Sequence, residues 1–396
     1  MTTTVRAACP ACDHDQLEIF HRESRIPTNS CLLLDSADEA EQYPRGDLEL
    51  GFCPSCGFCT NVRFDKALAE YSARYEETQA FSPLFVEFAR DLAGRWVEKY
   101  DLAGKSVLEI GCGKGEFLTM MVEAGAGSGI GIDPGVHAER IDSPAADRLE
   151  WIADFYDERY AHLQADAVVC RHTLEHIPDV AEFMRTVRRS IGDRPDTIVL
   201  FELPDMRRII DEVAFWDIYY EHCSYFTLGS LARLFRATGF EVLDLAVEYD
   251  DQYLIIEARP STVPAPGDAF EVEDDLAHLS AGVARFEEEF ARLKTTWLDR
   301  LGSVNESGGR SVIWGSGSKG VSFLNNLGSE AHIGHAVDIN PYKHGKFMAG
   351  TGQEIVAPEY LTAYQPQLVV AMNPIYVAEI QADLDRLGVA AELTAV

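Results

Sequence analysis

Apolar residues fall along this chain in runs of two kinds. Short runs bounded by glycine, proline or acids read as strands: Gln16 to Phe20, Leu48 to Phe52, Val107 to Ile110, Gly129 to Pro134, Leu149 to Phe155, Ala165 to Arg171, Thr197 to Leu203, Ser311 to Trp314 and Gly334 to Pro341. Runs with apolar residues three and four apart read as helices. Leu84 to Tyr100 is one, broken by Gly104-Lys105, and Leu118 to Ala124 is another. A long one, Val272 to Leu301, carries Leu276, Leu279, Val283, Phe286, Phe290 and Leu293 on one face. Phe64 to Phe88 is aromatic and reads as helical, with Tyr71 and Tyr75 one turn apart and able to roof a neighbouring pocket. Strand and helix alternate from Val107 and again from Ser311, which predicts two α/β units with parallel sheets. Ala258 to Pro266, rich in proline and small residues, reads as the linker between them.

Length and charge narrow the classes. At 396 residues, two to three domains are expected. The net charge of −31 would repel phosphate backbones and argues against nucleic acid as a partner. No apolar run approaches the ~20 residues of a membrane span, and Met1 to Arg6 lacks the apolar core of a signal peptide. Nine cysteines, four of them in Cys9-Pro-Ala-Cys12 and Cys53-Pro-Ser-Cys56, point to a reducing compartment and to metal. Two such turns bring four thiolates together, and an all-cysteine set predicts structural Zn²⁺. The expected protein is cytoplasmic, works on a small molecule and is monomeric by default.

Two glycine turns carry the candidate chemistry. Val107-Leu-Glu109-Ile-Gly111-Cys-Gly113-Lys-Gly115-Glu-Phe117 reads as strand, tight turn and helix, without the Gly-x-Gly-x-x-Gly spacing of dinucleotide sites. The next strand ends at Asp133, placed to accept from ribose hydroxyls. The second turn, Gly315-Ser-Gly317-Ser-Lys319-Gly320, has the dinucleotide spacing, and its following strand ends at Asp338. Taken alone it predicts an NAD site. Lys319 and Lys343 are candidate phosphate contacts that stand out in a chain of net charge −31, and Asn373 ends the next strand on the same face.

Glu109-x-Gly111-x-Gly113-x-Gly115 resembles the first motif of class I S-adenosylmethionine (SAM) methyltransferases. Asp133, Asp154-Phe155 and the His172-Thr-Leu-Glu-His176 turn fall where that family has its acids and its post-strand turn. The resemblance implies a Rossmann-like SAM domain in which Asp154 accepts from the adenine amino group, Phe155 packs on the ring and His172 lines the sulfonium pocket. Tyr219-Tyr-Glu221-His222-Cys-Ser-Tyr-Phe-Thr227, behind the cysteine module, looks like the three-domain sugar C-methyltransferase family over nearly the whole chain. That family implies a zinc-binding domain at 1–65, a SAM domain at 66–258 with a helical lead-in at 66–100, and a second Rossmann-like α/β domain at 259–396 that holds the substrate. It also implies His222 as the base that forms an enolate, with Glu221 and Tyr219 positioning it or stabilising the oxyanion. Tyr75, with Tyr71 as second choice, matches the family's amino-terminal active-site tyrosine. Where the family has His-Gly-Gly-Ser-Leu-Arg, this chain has Tyr249-Asp-Asp-Gln-Tyr-Leu254, without the cation that would meet a nucleotide sugar.

The expected activity is SAM-dependent C-methylation of a keto-deoxysugar nucleotide or a related secondary-metabolite intermediate. Its rivals are O- or N-methylation of a non-sugar acceptor, an NAD oxidoreductase built on 315–320, and a scaffold that keeps the SAM fold.

Overall fold

The first sixty residues form an antiparallel sheet that also fixes a distant turn. In the computed structural model, which describes residues 2–69, 74–262 and 268–396, strands Thr3–Val5, Leu17–Pro27, Arg45–Phe52 and Cys59–Asn61 pair in that order. A fifth strand, Ser224–Tyr225, comes from the middle of the chain, with Ser224 opposite Thr60 and Tyr225 opposite Cys59. It continues directly from Tyr219 to His222, so the amino-terminal sheet holds that turn in place.

The central sheet has seven strands in the order Phe240–Glu248, Tyr253–Pro260, Ile198–Pro204, Ala167–Arg171, Ser106–Ile110, Ser128–Ile132, Leu149–Ile152. The last five are parallel, and the first two form an antiparallel hairpin on the edge. Ala167–Arg171 is buried along its whole length, as a parallel strand covered on both faces must be. Chain order reverses at Ser106–Ile110, which opens a crevice at the carboxyl ends of the strands, where α/β folds bind ligands. The carboxy-terminal sheet repeats the device: Glu354–Val356, Ile333–Val337, Ser311–Trp314, Leu368–Ala371 and Glu392–Ala395, all parallel, reverse at Ser311–Trp314.

One core welds these units. The long helix runs Leu276–Glu306 and buries Leu279, Val283, Phe286 and Phe290 from the expected stripe. Phe286 lies edge-on to Phe20 at 5.5 Å, and the same cluster takes in Phe215, Tyr220, Phe323 and Leu368 from the other two units. Aromatic burial on this scale is worth about 3–5 kcal/mol per ring on truncation, so the two glycine turns are carried on one rigid frame. Buried His21 bridges Glu23 and Glu287 at 3.0 Å each and ties the helix to the first sheet.

Two stretches differ from the reading of the sequence. Helix begins only at Pro83 (Pro83–Lys99, capped by Ser82), and residues 74–82 run as an irregular strap. Proline at the helix start cannot extend it backwards. The strap instead pairs with the loop before it, Leu33 N donating to Arg74 O and Glu76 N to Cys31 O. Tyr71 lies outside the described residues, as does the linker stretch 263–266. The 249–252 segment is the hairpin turn itself, with Tyr249, Asp250 and Asp251 all left-handed (φ 57, 56 and 56°). That conformation costs about 1–2 kcal/mol per residue and turns the Tyr249 ring to stack on Tyr253 at 4.9 Å.

Candidate active site

The crevices of the two parallel sheets and the 219–222 turn open into one cavity of about 1400 Å³. Gly111, Gly113, Asp133, Asp154, Phe155 and His172 line it from the central sheet, Tyr75 from the strap, and Tyr219 and His222 from the turn. Lys319, Lys343 and Asn373 line it from the carboxy-terminal sheet. The fold thus brings nearly every motif residue to one place, although they span some three hundred positions of sequence.

The first glycine turn leaves room for a ligand. Gly113 is left-handed (φ +52°), and a Cβ there would meet only the Glu77 side chain, at 3.0 Å, beyond which lies the cavity. Asp133 accepts from Gly113 N at 3.0 Å and Gly135 N at 2.6 Å, which fixes its carboxylate at the cavity edge. Glu109, at the end of the first strand, is buried, and its Oε2 has no hydrogen-bond partner. Burial lifts its pKa to about 8 against the pull of Arg171. Buried orphan carboxylate oxygens call for a cation. SAM brings an α-ammonium and a sulfonium, and Phe155, 53% exposed on the cavity wall, offers a ring face to its adenine. The residues present therefore fit SAM.

Behind the turn is a buried ion network. Arg171 meets Glu202 through two bonds of 2.9 Å and stacks 3.9 Å over Phe117. His172 donates to the same carboxylate at 2.8 Å and faces Glu175. Burial pulls the His172 pKa down, but the two carboxylates outweigh it and hold the ring protonated, at about 9. Asp154 is occupied too, accepting from Tyr160 and from Phe155 N.

His222 is the opposite case. It is buried, and desolvation, with His176, His172 and Lys319 nearby, holds it well below the ordinary imidazole value. Among the described residues no group hydrogen-bonds to its ring. Tyr219 lies 4.2 Å away between ring centroids and His176 4.7 Å. His176 Nδ1 donates to the carbonyl of Glu221 at 3.0 Å, which leaves its Nε2 as the unprotonated nitrogen of the neutral ring. Glu221 itself faces away from the cavity wall. Its Oε1 accepts from Ser30 N at 2.9 Å and from Ser30 Oγ, and burial raises its pKa to about 7. With its one proton on Glu221, Ser30 Oγ in turn accepts from the Ser318 hydroxyl at the second glycine turn, at 2.6 Å.

At that second turn, Gly320 must lack a Cβ because one would lie 2.4 Å from Gly315 O. Asp338 lines the cavity with both carboxylate oxygens engaged, one of them by Asn340 N at 2.9 Å. It accepts from Ser316 N at 3.0 Å and from Ser316 Oγ, and pairs with Lys343 at 3.5 Å. Lys319 is paired with Asp217, and Asn373 exchanges two amide bonds with Gln252. Sequence motifs missed Glu77, Gln79, Ser30 and Cys31, which line or back the cavity from the strap and from a loop that show no spacing pattern.

In the amino-terminal module the Cys9, Cys12, Cys53 and Cys56 sulfurs lie within 4.8 Å of one another, with Cys9–Cys56 and Cys12–Cys53 at 3.7 Å. A tetrahedral Zn²⁺ with bonds of about 2.3 Å has sulfur–sulfur edges of about 3.8 Å, whereas a disulfide needs about 2.05 Å. The donor set fits zinc.

Comparison with known proteins agrees with this geometry. Residues 85–245 match the family described as a methyltransferase domain, and residues 268–390 the family described as a C-methyltransferase C-terminal domain. The C-methyltransferase NovU of Streptomyces niveus is 27% identical, the alignment covering 94% of this chain and 90% of that protein. A ubiquinone biosynthesis O-methyltransferase of Pseudomonas aeruginosa is 34% identical over 125 residues, 30% of this chain and 52% of its own length. Among solved structures, N,N-8-amino-8-demethyl-D-riboflavin dimethyltransferase from Streptomyces davawensis is 22% identical, covering 45% of this chain and 56% of that one, with a TM-score of 0.35. Among the described residues no helix is long and apolar enough to cross a membrane. The chain is a SAM-dependent methyltransferase acting on a small organic acceptor. Behind its four-cysteine module it carries a match to a methyltransferase domain followed by a match to a C-methyltransferase carboxy-terminal domain, and it is similar to NovU over nearly its whole length.

Proposed function

We propose that this enzyme methylates a carbon next to a ketone, with His222 as general base, SAM held at the 111–115 turn and the acceptor held against the 315–320 turn. The observation that carries the reading is a buried neutral imidazole on the cavity wall between the two turns. His222 takes the proton from the carbon beside the carbonyl, and the electron pair left behind moves onto the oxygen as an enolate. A base so placed contributes about 10²–10⁴ in rate. Tyr219, whose hydroxyl burial keeps protonated, and Tyr75, which lines the same cavity, donate to that oxygen. Glu175, with a buried unpartnered Oε2, offers negative charge to the imidazolium that forms. SAM, when bound, supplies an electrophilic methyl group to the enolate carbon. Glu221 acts from behind, through its backbone carbonyl on His176 and its carboxyl on Ser30, as a positioning residue.

The acceptor class follows from the second turn. Lys319 and Lys343 reach the cavity already paired with Asp217 and Asp338, and the 249–254 stretch offers Gln252 and Tyr253 in place of a cation. A ketone with hydroxyl groups but little anionic charge suits this wall better than a nucleotide diphosphate. The same wall favours a second reading, O- or N-methylation of a non-sugar acceptor, since His222 could equally unmask a hydroxyl. The four cysteines are proposed to hold structural zinc, and nine cysteines without a disulfide suit the cytoplasm.

Transfer from SAM labelled with ¹³C in its methyl group tests the reading. Over a panel of keto-sugar nucleotides, uncharged hydroxyketones and phenols, the label is expected bonded to carbon, on a ketone. Label on oxygen or nitrogen would replace this reading with the second.

A further inference from the structure

A carboxylate that no motif assigns stands over the first glycine turn. Glu77 belongs to the strap, ahead of the matched methyltransferase segment 85–245. Its Oε1 lies 3.0 Å from where a Gly113 Cβ would be, and it lines the cavity. Its Oε2 is buried and accepts no hydrogen bond. The nearest cation is Lys114 Nζ, at 3.6 Å, and that ammonium is committed to the carbonyls of Tyr75 at 2.8 Å and Gly135 at 3.0 Å.

The strap does not need Glu77 to stay in place. Glu76 accepts from Arg140 at 2.8 Å and from Asn340 at 3.0 Å, Thr78 donates to Glu116 at 2.8 Å, and Ser82 donates to Glu379 at 3.1 Å. The strap is thus anchored on both α/β units while one of its carboxylates is left aimed at the turn. A buried carboxylate oxygen that accepts no hydrogen bond is unfavourable, and a ligand ammonium that donates one relieves it.

We propose that Glu77 is a SAM ligand, accepting a hydrogen bond from the cofactor's α-ammonium group as a second carboxylate beside Glu109. This rests on SAM as the donor, and it makes a segment outside the methyltransferase fold part of the cofactor site. It also links binding to protons. Burial raises Glu77 to about 7 against Lys114, with Asp133 and Glu116 pressing the same way as burial. Glu109 faces Arg171, Glu116 and Asp133. An ammonium brought to Glu77 favours its ionised form, so SAM binding near neutral pH releases protons.

Calorimetric titration of the full-length protein and its Glu77→Gln variant with SAM, S-adenosylhomocysteine and 5′-methylthioadenosine tests this. Runs in two buffers of different ionisation enthalpy report the proton count. SAM and S-adenosylhomocysteine, which share the ammonium, are expected to bind the variant about 10- to 100-fold more weakly. 5′-Methylthioadenosine, which lacks it, is expected to bind unchanged, and the variant to release fewer protons. Equal weakening of all three would make Glu77 a wall residue and overturn the proposal, as would unchanged SAM affinity. The cofactor-free melting temperature of the variant, expected to hold or rise, shows that it folds. Failure of the unaltered protein to bind SAM would overturn the donor assignment itself, a result separate from any difference between the two proteins.

Discussion

Replacing His222 by Asn is expected to lower kcat by about 10²–10⁴ while leaving SAM affinity within a factor of two or so. The ring is buried among Tyr219 and His176 and no described residue bonds to it, so its removal takes away a proton acceptor without unlatching the turn. The turn is held by other means: Ser224 and Tyr225 pair with Thr60 and Cys59, and Asn61 N donates to Cys223 O. The pH profile carries a second signature. Because desolvation holds His222 well below 6.5, the base stays neutral as pH falls through that value, and the acid limb of kcat/KM is expected below it. A variant with unchanged turnover, or an acid limb at the ordinary imidazole value, removes the assignment.

The other large effect is expected from the cysteine module. Cys53→Ser should take bound zinc from one equivalent to well below one, measured by elemental analysis, and lower the melting temperature sharply. Structural zinc contributes about 10–16 kcal/mol of apparent binding energy in small domains at neutral pH; here the shared core offsets part of the loss. Turnover should fall as well, because loosening Cys59–Asn61 releases the partner of Ser224–Tyr225 and with it His222. Metal-free protein with unchanged melting and turnover would leave the four sulfurs without a structural role.

The parts of the site legible in the sequence are those fixed by backbone geometry. Gly111, Gly113 and Gly115 signal a turn because glycine suits their left-handed angles (φ 70, 52 and 88°), and Cys-x-x-Cys signals a knuckle because two thiolates on one tight turn have few other uses. The stripe of the long helix is legible for the same reason. What stayed hidden depends on three-dimensional packing. Residues 74–82 read as helix from their aromatic spacing, yet Pro83 and pairing with the 31–33 loop hold them extended, and only in that form does Glu77 overhang Gly113. Glu221 carries motif weight, but its partner is Ser30, some 190 residues away, a contact that no local pattern announces. The second glycine turn has dinucleotide spacing, whereas the Asp338 carboxylate is already engaged by Ser316 and Lys343, which spacing alone cannot show.

The central claim is that a carbon–hydrogen bond beside a ketone breaks before the methyl group arrives. Incubating the enzyme in D₂O with a ketone that it turns over, and following that position by mass spectrometry and NMR, tests it most directly. The account predicts deuterium at the carbon to be methylated before any product forms, one carbon-bound hydrogen lost in the product, and neither with His222→Asn. A methylated product that keeps every carbon-bound hydrogen of the acceptor would contradict it.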